Sequence, residues 1–105
     1  MWKKTIGLDG ETYDSASEAK VADWLFSNGI DYEPHKRLPK PSRGVCDFYL
    51  PMFDLWVEYD GLMEVRVGSQ FKKKQALYKQ MGLNLLVITR GDWKRALSEQ
   101  IEMGC

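Results

Sequence analysis

Two apolar-rich segments joined by a short turn constrain the fold of this chain more than any other feature of its sequence. The segments span residues 45–50 and 55–60, and Pro51-Met52-Phe53-Asp54 connects them. Segments of this length around such a turn predict two strands of an antiparallel hairpin. If the hairpin closes symmetrically about the turn, the numbers of facing residues add up to 105. Each side chain is thereby assigned to one face of the sheet.

This register places two carboxylates, those of Asp47 and Glu58, directly opposite each other on one face. Asp60 follows on the same face, two residues beyond Glu58. The other face takes a set of residues suited to a core: Cys46, Phe48, Leu50, Leu55, Val57 and Tyr59. Opposed like charges destabilise a strand pair, and a metal ion or a shared proton would relieve the repulsion. Two such carboxylates can bind one Mg²⁺. The alternatives are a solvated acidic rim, or an ion pair of Asp47 with Arg43 or a lysine.

The remaining segments predict a small mixed sheet flanked by helices. A hairpin about Asp9-Gly10 precedes a capped helix that runs from Ser15 to about Phe26. The other predicted elements are a strand over 30–38, a helix over 69–81, a strand over 85–88 and a helix after Gly91-Asp92. Three successive strands favour an antiparallel meander, and the helix before the last strand favours a parallel crossover. The predicted fold class is α/β of the α+β kind, with residues 1–105 in a single domain.

Two charged residues, Glu18 and Lys74, lie in the middle of the apolar faces of the predicted helices. Glu18 either bonds back to the amide of Ser15 in a capping box or reaches a metal ion near the sheet. A buried ammonium needs a partner, so Lys74 either carries its amine out to solvent or points at the strand carboxylates. The neighbouring Lys72 and Lys73 point away from the core.

A loop with two prolines carries four cations within eight residues, namely Lys36, Arg37, Lys40 and Arg43. A basic loop beside an acidic site suits contact with phosphates, although most charged loops are simply solvated. We add Lys72, which points outward from the second helix, to the predicted nucleic-acid-binding residues.

The composition excludes several classes of protein. Fifteen basic residues balance fifteen acidic ones, so bulk positive charge cannot be the source of affinity for a partner. No apolar run approaches the ~18 residues that span a bilayer, and no signal peptide core follows the first residues. We therefore expect no membrane association and a cytoplasmic location. Two cysteines and one histidine are too few for a disulfide framework or a Cys/His zinc site.

The residues that carry chemistry fall into four motifs. These are Ser17-Glu18, Cys46-Asp47-Phe48-Tyr49-Leu50-Pro51, Val57-Glu58-Tyr59-Asp60-Gly61, and Lys74, Tyr78 and Gly82 at intervals of four. With the order α-β-β-β-α-β, they resemble the PD-(D/E)XK nuclease superfamily over about residues 13–93. The resemblance is to small stand-alone or helicase-associated domains, including phage and very-short-patch-repair-like enzymes. It implies a restriction-endonuclease-like core and metal-dependent hydrolysis of DNA phosphodiester bonds, by an endonuclease that recognises shape or structure.

The resemblance also implies roles for individual residues. Asp47 and Glu58, with the carbonyl of Tyr59, would hold Mg²⁺ or Mn²⁺. Glu18 would orient a metal-bound water or a second ion, and Lys74 would position the attacking water or stabilise the transition state. Asp60 stands where the family usually has lysine. Lys74 fits the family members whose lysine has moved to the following helix. If Lys74 does not reach the site, Asp60 is a further metal ligand or activity is lost.

Two other hypotheses fit the same sequence. Asp60 at the lysine position also suits a catalytically silent domain that binds nucleic acid or docks a partner on the same scaffold. The small size of the chain suits a subunit that needs another chain for specificity, in a homodimer or in a larger assembly with a nuclease or a helicase.

Overall fold

The computed structural model describes residues 4–60 and 65–103, and for residues 65–71 and 103 the backbone alone. The strands are β1 (Thr5–Ile6), β2 (Thr12–Tyr13), β3 (Glu33–Arg37), β4 (Val45–Leu50), β5 (Leu55–Asp60) and β6 (Asn84–Thr89). The helices are α1 (Ala16–Ser27), α2 (Val65–Gln80) and α3 (Trp93–Met103). The predicted order of elements is confirmed. The predicted third strand is longer than β3, and α2 begins four residues before the predicted start of its helix.

The main sheet has four strands in the order β3-β4-β5-β6, and β1 and β2 form a separate hairpin. The first three strands of the main sheet are antiparallel neighbours, whereas β6 is parallel to β5. The predicted meander with a parallel last strand is therefore confirmed, and the fold is α+β with a mixed sheet. The two strands that carry the acidic motifs, β4 and β5, are the central ones.

The hairpin of β4 and β5 has the predicted register. Leu50 faces Leu55, Tyr49 faces Trp56 and Phe48 faces Val57. Asp54 closes the turn in the left-handed conformation, with φ of 47°, and its N–H donates to the carbonyl of Pro51. An aspartate tolerates this conformation better than most residues, which explains its place in the turn.

Two apolar clusters cover opposite faces of the sheet, because alternate residues of β5 and β6 belong to different clusters. One cluster joins the sheet to α1 and α3, and its buried members include Val21, Leu25, Val57, Ile88 and Leu97. The other joins the sheet to α2, and its buried members are Leu38, Cys46, Trp56 and Tyr78.

The prediction that Cys46 shares a core face with Phe48 is wrong. Cys46 packs with Trp56 and Tyr78, whereas Phe48 belongs to the cluster on the other face. The regular pairing of β3 with β4 omits both His35, whose φ is 53°, and Asp47, which separates Cys46 from Phe48. A positive φ interrupts the extended backbone, and strict alternation of side chains fails at such a kink.

The β1–β2 hairpin is held against the rest of the domain by side-chain carboxylates. Asp23 of α1 accepts the N–H of Leu8 at 2.8 Å. Asp9 accepts the hydroxyls of Tyr13 and Tyr32, which join the hairpin to the chain that leads into β3. These bonds fix the hairpin beside α1.

Candidate active site

The two strand carboxylates lie together in the centre of the sheet. Glu58 is only 2% exposed, which makes it the one buried charged side chain within residues 4–60, 72–102. Asp47 is partly buried, and its Oδ2 accepts the N–H of Tyr59 at 2.7 Å. The main-chain pairing of β4 and β5 extends to Phe48 and Val57. Beyond that point the Tyr59 N–H is bonded to the Asp47 carboxyl instead of to a main-chain carbonyl of β4, and this bond holds the carboxyl beside the peptide that joins Glu58 to Tyr59.

The environment of Asp47 favours its protonated form. Burial raises its pKa most, the negative charge of Glu58 raises it further, and the Tyr59 N–H lowers it, with a net value of about 8. A hydrogen bond with the Glu58 side chain and the charge of Glu18 act in the raising direction. In the absence of a cation, the pair therefore relieves its repulsion by keeping a proton on Asp47 at neutral pH.

Lys74 supplies a positive charge to this pair. Its Nζ lies 3.0 Å from Oε1 of Glu58, and the Lys74 side chain is 48% exposed against 3% for Glu58. Burial lowers the pKa of Lys74, but the hydrogen bond and charge of Glu58, with the charge of Asp47, raise it overall. The amine stays protonated and points at the strand carboxylates, which is the arrangement predicted from the sequence.

Tyr78 is a residue of the site to which sequence reasoning gave no role. Its hydroxyl donates to Oε1 of Glu58 at 3.4 Å, and its ring packs edge-on against Trp56. Residues four apart on a helix share a face, so the spacing of Lys74 and Tyr78 was the signal that could have identified it. Burial raises the pKa of Tyr78, and a hydrogen bond with Cys46 and the charges of Cys46 and Glu58 act in the same direction. Its hydroxyl is therefore a permanent donor.

Glu18 faces the sheet from the first turn of α1. Its N–H donates to Oγ of Ser15 at 3.1 Å, and within residues 4–60 the Ser15 N–H does not bond back to its carboxylate. Burial raises the pKa of Glu18 most, the charges of Asp14 and Glu58 raise it as well, and His35 lowers it. The Glu18 carboxyl therefore does not complete a capping box, and the charge of Glu58 is one of the influences that raise its pKa.

Asp60 ends β5 opposite Thr89 of β6 and is partly exposed. Strand alternation puts it on the same side as Glu58. In the part of the chain that the structure describes, no group of three or more Asp, Glu, His or Cys side chains is close enough to hold a metal ion. The structure thus brings together Asp47, Glu58 and Lys74, whereas Glu18 and Asp60 stay outside the contact distance of a shared ion.

The predicted basic residues divide into two groups. Lys36 forms an ion pair with Glu33 at 3.0 Å and lies over the ring of Tyr49. Arg37, Lys40 and Arg43 line a pocket of about 740 Å³ made by residues 37–44. Within residues 4–60 and 72–102 these three form no ion pair, so the alternative that pairs Asp47 with Arg43 is wrong. Lys72 is exposed on α2.

None of the three helices, over the residues described, is long and apolar enough to cross a bilayer. Comparisons with protein-family models, with curated proteins and with solved structures found no match to this chain. Its function is therefore inferred from its own geometry.

Proposed function

We propose that this chain is a Mg²⁺- or Mn²⁺-dependent nuclease that hydrolyses DNA phosphodiester bonds on a PD-(D/E)XK, restriction-endonuclease-like core. One observation carries the proposal. The negative charge of Glu58 acts on the neighbouring carboxyl of Asp47 across β4 and β5, and the amine of Lys74 lies 3.0 Å from Glu58 with half of its side chain open to solvent. Two carboxylates that can hold a metal ion and an adjacent ammonium group are the side chains that metal-assisted phosphodiester hydrolysis requires.

The donor set fits a hard divalent cation. Mg²⁺ is usually bound by one or two carboxylates, and waters and substrate phosphates complete its shell. Asp47 and Glu58, with the carbonyl of Tyr59, would therefore suffice without a third acid in contact. Such an ion, when bound, screens the phosphate charge and lowers the pKa of a bound water. Glu18, whose pKa the charge of Glu58 helps to raise, would orient that water or hold a second ion. Asp60 would not be needed as a ligand, because Lys74 reaches the site.

Lys74 would supply the amine that the PD-(D/E)XK family usually places at the position of Asp60. Its ammonium is anchored by Glu58 at one end of the site and is half exposed, so it can also face a phosphate that enters from solvent. A fixed positive charge beside developing negative charge stabilises the transition state. The aspartate at position 60 cannot supply this charge.

The pocket of Arg37, Lys40 and Arg43 would hold the phosphate backbone of the DNA. Its positive charge is not neutralised by ion pairs within the described residues, which leaves it available for phosphates. Lys36 contributes less, because Glu33 already pairs with it. The free, buried thiol of Cys46 supports a reducing, cytoplasmic location.

A second candidate function is a catalytically silent domain that binds nucleic acid on the same scaffold. It is favoured by the Lys74–Glu58 ion pair, which already neutralises one carboxylate of the site, together with an aspartate at position 60. The two candidates differ in whether DNA is cut when a divalent metal is added.

The test incubates the purified chain with supercoiled, single-stranded, flap and four-way-junction DNA, with and without Mn²⁺. We expect metal-dependent cleavage that Asp47→Asn and Glu58→Gln each abolish, while circular dichroism and DNA affinity stay unchanged. The matched control is Asp31→Asn, which alters an exposed acid away from the site and should cleave as the wild type does. Cleavage retained by Asp47→Asn contradicts the proposal. DNA binding without cleavage of any substrate favours the silent domain.

A further inference from the structure

A cleft between α1 and α3 is lined by two perpendicular tryptophans. The ring centroids of Trp24 and Trp93 are 6.0 Å apart, and the angle between their planes is 88°. Both rings pack against the core on one side and are partly exposed on the other. The cleft has a volume of about 300 Å³. The two rings are in edge-to-face contact and form two walls of the cleft.

The charges around this cleft are mainly positive. Lys20 and Lys94 line it, and Nζ of Lys94 lies 5.5 Å from the centroid of the Trp93 ring. One carboxylate, that of Asp23, also lines the cleft, but its Oδ1 already accepts the N–H of Leu8 at 2.8 Å. A ligand that enters the cleft therefore meets aromatic walls, two ammonium groups and one carboxylate that is already bonded to the Leu8 N–H.

We propose that this cleft binds an unstacked base of single-stranded nucleic acid, with Lys20 and Lys94 on the adjoining phosphates. The inference rests on the proposed function, because it assigns to the nuclease a substrate with a single-stranded segment. Proteins bind single strands with aromatic side chains that stack on the bases and basic side chains that follow the backbone. A paired base inside a duplex cannot offer its face to a tryptophan, so the cleft selects against uninterrupted duplex.

The cleft lies on the face of the sheet that α1 and α3 cover. Glu18 and Trp24 lie on the same helix six residues apart, which is about 9 Å along its axis. Trp93 follows four residues after Thr89, which faces Asp60 at the end of β5. The cleft is therefore near the end of β5 and β6, on the opposite face of the sheet from α2, whose Lys74 and Tyr78 contact Glu58. A strand held in the cleft would reach the acidic pair around this end of the sheet.

The test measures binding of a short labelled oligo(dT) and of a blunt duplex of equal length by fluorescence anisotropy, in EDTA so that no cleavage follows. We expect the wild type to prefer oligo(dT) and its tryptophan fluorescence to be quenched on binding. Trp93→Ala should weaken oligo(dT) binding by about 5- to 150-fold and reduce the quenching. Lys94→Glu, which changes an exposed side chain, should weaken it without affecting the fold.

Two matched controls alter the same kinds of side chain outside the cleft. Phe26→Ala removes an exposed aromatic ring from α1, and Lys79→Glu reverses an exposed lysine on α2, on the other face of the sheet. Both should bind oligo(dT) as the wild type does. Because Trp93 also contacts the core, circular dichroism accompanies every variant, and Lys94→Glu decides the outcome if Trp93→Ala is unfolded.

Equal binding of oligo(dT) by the wild type, Lys94→Glu and Lys79→Glu would overturn the inference, as would a preference for the blunt duplex. The binding assay needs no catalysis, so it is independent of the proposed nuclease activity. If the chain cleaves DNA with added metal but the cleft variants bind oligo(dT) as the wild type does, the proposed binding role of the cleft is refuted and the nuclease proposal stands. If the cleft variants weaken binding but no DNA is cleaved, the nuclease proposal is refuted and the binding role of the cleft is supported.

Discussion

Lys74 and Glu58 are sixteen residues apart in the chain, and the amine of one lies 3.0 Å from the carboxylate oxygen of the other. Glu58 comes from a central strand and Lys74 from the helix that crosses to the last strand. The contact therefore depends on the crossover, which brings the exposed end of a lysine over a buried acid. A buried carboxylate without a compensating cation would be costly, so this pair contributes to folding as well as to the proposed chemistry.

Replacement of Lys74 by alanine is expected to reduce cleavage by about 10²- to 10³-fold, since one charge that stabilises the transition state is lost. Lys74→Arg should recover part of this activity, because it keeps the positive charge and changes its geometry. The rates are measured under single-turnover conditions with Mn²⁺. Lys73→Ala is the matched control, an exposed neighbouring lysine whose loss should leave the rate unchanged. Full activity of Lys74→Ala would exclude the amine from the reaction.

The direction of Lys74 and the hairpin register could both be predicted from the sequence. Helical periodicity alone distinguishes Lys74 from Lys73, because residues at intervals of three and four share a face. The register of β4 and β5 followed from the turn between them and from the period-two pattern. Both depend on residues that are close together in the sequence, and the tertiary packing keeps the orientation and the register that these local patterns predict.

The kink in β3 could not be predicted in this way. His35 has a φ of 53°, a conformation that nothing in the neighbouring residues demands. It brings Glu33 and Lys36 into an ion pair, although residues three apart in a regular strand lie on opposite faces. Cys46 and Phe48 belong to different clusters, and Asp47 between them is absent from the regular pairing of β4 with both β3 and β5. These features depend on contacts across strands, which a single sequence does not reveal.

Tyr78→Phe tests the hydroxyl that donates to Glu58. Tyr78 is 1% exposed, so phenylalanine keeps the packing and removes only the donor. We expect the free energy of unfolding to fall by about 0.5–1.5 kcal/mol, because Glu58 loses a partner in a buried site. Urea denaturation measures this change. Tyr49→Phe is the control, since its hydroxyl bonds to the exposed Asp54 instead of to a buried acid. An equal loss in both variants would show that burial of the acceptor is unimportant.

The metal-free protein is expected to lose stability as the pH rises toward 8, relative to an Asp47→Asn variant. The pKa of Asp47 is raised from 3.8 in the unfolded chain to about 8 in the folded one. A raised pKa means that the folded state holds the proton more tightly, so the stabilisation is complete below 3.8 and is lost as the pH rises through 8. Asparagine carries no titrating proton and can still accept the Tyr59 N–H.

Urea unfolding of both chains in EDTA across this pH range provides the measurement. The difference in the free energy of unfolding, Asp47→Asn minus wild type, should be small near pH 3.8 and should increase toward pH 8. Asp31→Asn, at an exposed position, should show no such trend. A difference that stays constant with pH would mean that Asp47 ionises normally in the folded protein.

Addition of Mn²⁺ is expected to raise the melting temperature of the wild type and to release protons on binding. A cation requires both carboxylates to be ionised, and Asp47 keeps its proton below about pH 8 in the metal-free site. The cation and the proton therefore compete, and the apparent affinity for Mn²⁺ should increase with pH. Calorimetry in two buffers of different ionisation enthalpy measures the protons released, and thermal melts measure the stabilisation. Asp47→Asn should show neither effect, whereas Lys74→Ala should keep both because it removes no oxygen ligand. Metal binding without proton release would place the ion away from Asp47 and so contradict the assignment of the pair as its ligands.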